Sequence, residues 1–188
     1  MVPDDGIPDD GERPLTWVEL LALDDGALLA GCEFDRFRAG GPGGQKRNVT
    51  DSAVRLRHRA SGLSAQATES RSQHENRARA LRRLRRVIVF TLRAPVELDG
   101  YRAPEPLAGA VHSGRGILLG RGDARFVPAI AALFDLLEAV HWRVSEAARR
   151  LDVSTAAIGR FLAQDAEVLR IANQRRQTLG MRSLRRTR

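Results

Sequence analysis

Four of the five residues from Gly40 to Gly44 are glycine, and the fifth is Pro42. No helix or strand continues through such a run, because glycine loses more backbone freedom on ordering than any other residue and proline lacks the N–H. The fold must therefore be built from elements on either side of 39–45, with the run connecting them. Glycine also lets another backbone approach with no Cβ in the way, so the run marks a place of close contact. A phosphate-cradling loop needs Gly-Lys-Ser/Thr opening a helix. Here Gln45-Lys46-Arg47-Asn48 leads into an alternating stretch instead, which argues against nucleotide binding.

The flanks are regular. Cys32, Phe34 and Phe37 among charged neighbours predict a strand over 32–38. Ala53, Val54, Leu56 and His58 set against Arg55, Arg57 and Arg59 predict a second strand, and Ala60-Ser61-Gly62 turns it into a third over 63–68, making a hairpin. From Ser72 the period changes: Ala78, Leu81, Leu84 and Ile88 form one helical stripe, with arginines around the rest. The expected class is α+β, a small sheet with a basic helix packed on it. A short helix from Leu15 precedes it, carrying Trp17, Leu20, Leu21 and Leu23.

Beyond the helix, prolines and scattered glycines over 94–125 predict a linker with one apolar anchor at Ile117–Leu119. Stripes such as Phe126, Ile130, Leu133, Phe134 and Leu137 then predict helices. Ser145 and Ser154 stand where N-caps are wanted, and Asp152-Val153 joins two short helices into a unit like a helix-turn-helix. The stretch from Arg170 to Arg188 holds seven arginines and no acid; its few apolar residues, Ile171, Leu179, Met181 and Leu184, could support a partial helix, and without a partner it is expected to fray. The expected units are an acidic disordered head (1–14), the sheet-and-helix domain (15–93), a linker (94–125), a helical unit (126–169) and a basic tail (170–188).

Composition narrows the function. No apolar run reaches the roughly 18 to 20 residues of a membrane helix, which predicts a soluble protein with no membrane partner. Residues 1–14 are acidic where an export signal needs a basic start. Cys32, the only cysteine, offers neither a disulfide nor zinc-ligand spacing. A cytoplasmic protein without metal or cofactor is expected. Charge is uneven: −9 over residues 1–35 and +17 over the remainder, with every basic residue except Lys46 an arginine. Arginine pairs bidentately with phosphate and stacks on bases, which points to nucleic acid. Coding bias and a solvated surface would give the same excess.

Three blocks sharpen this reading: Arg38-Ala39-Gly40-Gly41-Pro42-Gly43-Gly44-Gln45 with Asn48, then Thr50-Asp51-Ser52-Ala53-Val54-Arg55, then Arg71-Ser72-Gln73-His74-Glu75-Asn76-Arg77. In this order and spacing they resemble the catalytic domain of bacterial peptide chain release factors, over roughly residues 29 to 90. The family usually has serine where Gly40 stands and a small or aliphatic residue near Lys46 and Arg47.

The resemblance implies a domain that enters the peptidyl transferase centre and lets water cleave the ester between nascent peptide and tRNA. Gly43, Gly44 and Gln45 would be catalytic. The Gln45 backbone N–H would stabilise the developing oxyanion or the departing ribose hydroxyl, its side-chain amide would place water and exclude larger nucleophiles, and a glutamine methyltransferase would be a partner that modifies it. No His, Asp or Glu lies in the run, so catalysis would rest on positioning and electrostatics. Contacts to large-subunit rRNA are expected from Arg38, Lys46, Arg47, Asn48, Arg55, Arg71, Gln73, His74, Asn76 and Arg77. Domain support is the rival reading for Arg55, Arg71, Gln73, His74 and Asn76, with rRNA contact favoured for Arg71 and Arg77, and Ser72 or Gln73 would cap the helix. Asp51 is expected to be structural.

Only about thirty-eight residues precede the run, so codon reading is not expected. The type implied is the codon-independent rescue factor, monomeric off the ribosome. Its tail, here Arg175, Arg176, Arg182, Arg185 and Arg186, would enter the empty mRNA channel. Two rivals remain: a nucleic-acid-binding protein reading through Thr155, Ala156, Gly159 and Arg160, and a ribosome-binding accessory factor without catalysis.

Overall fold

The computed structural model describes residues 15–37 and 52–185. The acidic head, the glycine run with its flanks from Arg38 to Asp51, and Arg186 with the two residues after it lie outside the described residues.

The chain begins with two short helices, α1 (Trp17–Ala22) and α2 (Asp25–Ala30). Thr16 and Glu19 form a reciprocal capping box on α1, and Asp24 caps α2 by accepting from the Ala27 N–H at 2.7 Å. Strands β1 (Cys32–Phe37), β2 (Ala53–His58) and β3 (Ser64–Ala67) then form one antiparallel sheet in that spatial order. Val54, Leu56 and His58 point from β2 into the core while Arg55 and Arg57 face outward, as period-two alternation requires. Helix α3 (Gln73–Thr91) lies against β2 and β3. It buries Ala80, Leu81, Leu84, Ile88 and Val89. Ser72 caps it, accepting from the Glu75 N–H at 3.3 Å.

Residues 94–125 are packed, in place of the expected linker. Leu107, Ala110, Ile117 and Leu119 are buried in the same core as the sheet and helices, while Leu118 is exposed. A 3-10 turn at Ala108–Ala110 leads into a hairpin of β4 (Val111–His112) and β5 (Gly116–Ile117). Proline spacing hides this from periodicity, because these short elements are held by their contacts rather than by a repeating pattern.

The remaining helices are α4 (Phe126–Ala139), α5 (Val144–Arg150), α6 (Thr155–Leu162) and α7 (Ala166–Thr178). Helix α4 is interior: every residue from Ala129 to Leu137 is buried. Pro128 is accommodated because it sits in the first turn, where an N–H has no intrahelical acceptor. Ser154 caps α6 as expected, accepting from Ala157 N–H at 3.1 Å. Ser145 caps nothing. Helix α5 starts two residues earlier than a Ser145 cap would place it, at Val144, after a turn with positive φ at His141 (53°) and Trp142 (57°), and it has no side-chain cap.

The expected frayed tail is also corrected. Helix α7 runs through the 169/170 boundary to Thr178, and Gly180 (φ 70°) then reverses the chain. Leu184 N–H donates to Asn173 Oδ1 at 2.6 Å, and Asn173 Nδ2 donates to the Leu184 carbonyl at 3.1 Å, so residues up to 184 fold back on the helix. The decisive partner, Asn173, is a polar residue that an apolar pattern does not reveal.

Two buried carboxylates join the helical half to the sheet half. Asp165 caps α7 through the Glu167 and Val168 N–H groups and takes Arg121 Nε at 3.2 Å and, from α3, Arg86 Nη2 at 3.4 Å. Burial alone would raise its pKa, but these donors hold the carboxyl below its ordinary value. Asp135 on α4 accepts from Trp17 Nε1 at 2.6 Å and from Arg93 Nη1 and the Ala94 N–H, each at 3.1 Å.

Tyr101 lines an apolar cavity of about 480 Å³ between α1 and the 94–106 segment, and its buried hydroxyl has no hydrogen-bond partner. Burial, aided by the nearby Asp135 charge, pushes the pKa of that phenol up to about 12. Tyr101→Phe should therefore raise stability by about 1 kcal/mol, since it removes a desolvated group that gains nothing in return. Urea denaturation with an unchanged m-value tests this.

Candidate functional site

The glycine run leaves the sheet between β1 and β2, whose ends are paired: Phe37 stands opposite Ala53 and Arg36 opposite Val54. Both roots of segment 38–51 are thus set side by side by the sheet register.

The C-terminal root is tied further. Asn76, wholly buried in the first turn of α3, donates through Nδ2 to the Ser52 carbonyl at 2.6 Å and to the Ser70 carbonyl at 2.8 Å. Its Oδ1 accepts from the Ser70 N–H at 2.9 Å, and Ser52 Oγ donates to the Ser70 carbonyl at 3.1 Å. With both ends of the amide engaged, the expectation that Asn76 contacts RNA is corrected. Its side chain anchors the loop root. A sequence places it correctly in a motif but cannot tell a buried amide from an exposed one.

The other expected RNA residues divide. Arg71 and His74 are exposed and Gln73 is half-buried at the start of α3. Arg55 is exposed with its guanidinium 5.3 Å from the centre of the Phe37 ring, and Arg77 lies 5.8 Å from that of Phe34. Arg38, Gly43, Gly44, Gln45, Lys46, Arg47, Asn48 and Asp51 lie outside the described residues, as does Arg186. Arg182 and Arg185 are exposed.

Arg175 and Arg176 depart from expectation. Arg175 pairs with Glu138 at 2.9 Å. Arg176 donates to the Trp142 carbonyl at 2.5 Å and to the Arg182 carbonyl at 3.0 Å, and burial lowers its pKa. Arg176 stitches α7 to the body and Arg175, though exposed, pairs with Glu138, so both stand on an ordered helix and not in a free tail. Of the expected reading face on α6, Thr155, Ala156 and Arg160 are exposed but Gly159 is buried. The structure also shows a partner the sequence reading missed: Arg36 places its guanidinium 5.7 Å from the Phe34 ring. The signal available was an arginine two positions from an aromatic, which puts both on one face of a strand.

At the opposite end of the sheet, buried His58 accepts from the Ser61 N–H through Nδ1 at 3.3 Å and meets Ser61 Oγ at 2.9 Å. Burial and, secondarily, the Arg59 charge lower its proton affinity below the ordinary histidine value. The unfolded chain therefore binds this proton first as pH falls. The stabilisation is complete above about pH 6.5 and is lost as pH drops through the unfolded and then the folded value. Between pH 7 and 5.5 the wild type should lose stability more steeply than His58→Gln, measured by urea midpoints; parallel curves would exclude this group.

Among the described residues no cluster of three or more His, Cys, Asp or Glu side chains could hold a metal ion, and no helix is long and apolar enough to cross a membrane. The RF-1 domain family model matches residues 30–98, which take in the sheet, the glycine run and α3. Over these residues the chain is similar to the RF-1 domain of peptide chain release factors. Similar proteins include peptide chain release factor 1 of Salinibacter ruber, 38% identical over 77 residues covering 41% of this chain and 22% of that protein. The factor of the same name from Solidesulfovibrio magneticus is 43% identical over 83 residues, 44% of this chain and 22% of the relative. That from Brachyspira hyodysenteriae is 55% identical over 51 residues, 27% and 14% respectively. The chain thus aligns with about a fifth or less of the length of these curated relatives. The loop-root geometry described above lies within the residues that the RF-1 domain model matches; α4 to α7 lie beyond them.

Proposed function

We propose that the protein hydrolyses the ester of peptidyl-tRNA on stalled bacterial-type ribosomes without reading a codon, with Gln45 carried into the peptidyl transferase centre. The observation that supports this most directly is the RF-1 match across residues 30–98, which includes Gly43-Gly44-Gln45, on a sheet and an Asn76 anchor that fix both roots of that segment.

The chemistry asks little of ionisable side chains. Water attacks the ester carbonyl, the carbonyl oxygen gains negative charge, and the ribose oxygen departs with a proton. A backbone N–H from Gln45 stabilises the developing charge, and the amide side chain orders the attacking water. Gly43 and Gly44 let the backbone reach the ester in a crowded pocket. His74 and Glu75 start α3 and take no part.

Codon independence is favoured by the packing: apolar residues from α1, the sheet, the 94–125 segment and α4 to α7 share one core. Among the described residues none forms a separate body able to reach a distant decoding site. Partners are large-subunit rRNA and peptidyl-tRNA. The ribosome is met through the exposed arginines of the domain and through Arg182 and Arg185, not through a threaded tail. The protein acts in the cytoplasm as a monomer when off the ribosome, needs no cofactor, and presents Gln45 to a glutamine methyltransferase. Peptide release from ribosomes stalled on truncated message, compared with isolated large subunits carrying peptidyl-tRNA, tests the reading. Release from neither substrate overturns it.

A further inference from the structure

Arginines in this molecule are held by carboxylates, by backbone carbonyls and by aromatic rings, and Arg86 and Arg93 have both a carboxylate and a ring. Many meet carboxylates: Arg57 with Glu33 at 3.7 Å, Arg79 with Glu75 at 3.6 Å, and Arg83 with Glu69, besides the Asp135 and Asp165 clusters. Arg36, Arg55 and Arg77 are different. Arg36 and Arg77 both lie over the one ring of Phe34, at 5.7 and 5.8 Å, and Arg55 lies over Phe37 at 5.3 Å. Among the described residues no carboxylate is in ion-pair range of any of the three. Arg55 stands opposite Asp35 in the strand register, yet its guanidinium goes to the ring.

The distinction matters because an aromatic face positions a guanidinium without neutralising it. The ring quadrupole attracts the cation, while the in-plane N–H donors stay free to take an anion. A carboxylate partner spends both charge and donors. The three arginines held by a ring and by no carboxylate also gather around one strand. Phe34, Arg36 and Phe37 are on β1, an edge strand of the sheet, and β1 ends where segment 38–51 begins. Phe34 and Phe37 face opposite sides of that strand. Phe34 itself is 37% exposed, an unusual position for a phenylalanine whose neighbours are charged.

We propose that Arg36, Arg77 and Arg55, positioned by Phe34 and Phe37 astride strand β1, form a phosphodiester-binding cluster that grips an RNA backbone at the root of the glycine run. The proposal rests on the ribosome-directed reading above and specifies part of its contact surface. Arg36, Phe34 and Phe37 lie outside the three blocks that carry the family resemblance.

The test is the salt dependence of binding to a short fluorescein-labelled single-stranded RNA, followed by anisotropy between about 50 and 200 mM salt. Every phosphate that is no longer neutralised should lower the log–log slope by about 0.7, so R36Q/R55Q/R77Q should lower it by about 2. The control R57Q/R79Q/R83Q removes the same charge from carboxylate-paired positions and should lower the slope by less than half as much. Equal slopes for the two triple variants would reduce the effect to net charge and overturn the cluster. An unchanged slope for the first would do the same.

F34L keeps every charge and most of the apolar volume but removes the ring. It should weaken binding several-fold at fixed salt, and wild-type affinity would overturn the positioning role. Circular dichroism and urea midpoints establish that each variant is folded. Because the readout is RNA affinity and not peptide release, failure here is distinguishable from failure of the hydrolase reading.

Discussion

Gln45→Pro should lower peptide release from stalled ribosomes a hundredfold or more, and should be clearly worse than Gln45→Ala. Proline deletes the backbone N–H at the position proposed to face the developing oxyanion, while alanine keeps it and removes only the side-chain amide. Loss of one preorganised oxyanion donor costs on the order of 3 kcal/mol of transition-state stabilisation, about two decades in rate. Gly43→Ala and Gly44→Ala should also abolish release, because a Cβ added there blocks close approach of the backbone rather than unfolding the domain. Single-turnover release with wild-type and variant proteins at saturating concentration ranks the four. If Gln45→Ala proves the more damaging substitution, the backbone amide has no part in the reaction. All four changes fall between β1 and β2, whose pairing and Asn76 anchor do not involve them, so thermal unfolding should be nearly unaltered.

Asp135→Ala should destabilise the protein by about 3 to 5 kcal/mol, read from urea denaturation. The carboxylate is 4% exposed, and it is the shared acceptor for the Trp17 indole, the Arg93 guanidinium and the Ala94 backbone. Burial pushes its pKa above the ordinary carboxylate value against the pull of those donors. Truncation leaves one buried and two partly buried donors without this acceptor, one of them the mostly buried charge of Arg93. Asp135→Asn keeps an oxygen acceptor and should cost less than the alanine change. A destabilisation below about 1 kcal/mol for alanine would mean that water replaces the carboxylate and that the joint between α1, the end of α3 and α4 is looser than its hydrogen bonds imply.

Much of the matched domain was legible because its signals are local. Alternation over 53–58 and the period change at Ser72 report which side of each element faces a core, whatever that core contains. Ser72 and Ser154 were legible as caps because their hydroxyls serve N–H groups three residues away. Ser145 failed by the same logic: the turn at His141 and Trp142 starts α5 two residues early, and backbone angles of that kind are set by what the turn packs against.

The fates of polar side chains were decided by the tertiary structure alone. Asn76 reads as an RNA-facing motif residue until Ser52, 24 positions away, is seen to take its amide. Arg175 and Arg176 read as a free tail until Glu138 and Trp142 are brought against them. Asp135 carries no sequence signal, since its partner Trp17 is 118 residues distant. Apolar spacing fixes which side of an element turns away from water and therefore survives in one dimension. Whether a charge or an amide is buried, and by what it is satisfied, depends on groups that meet only after the chain has folded.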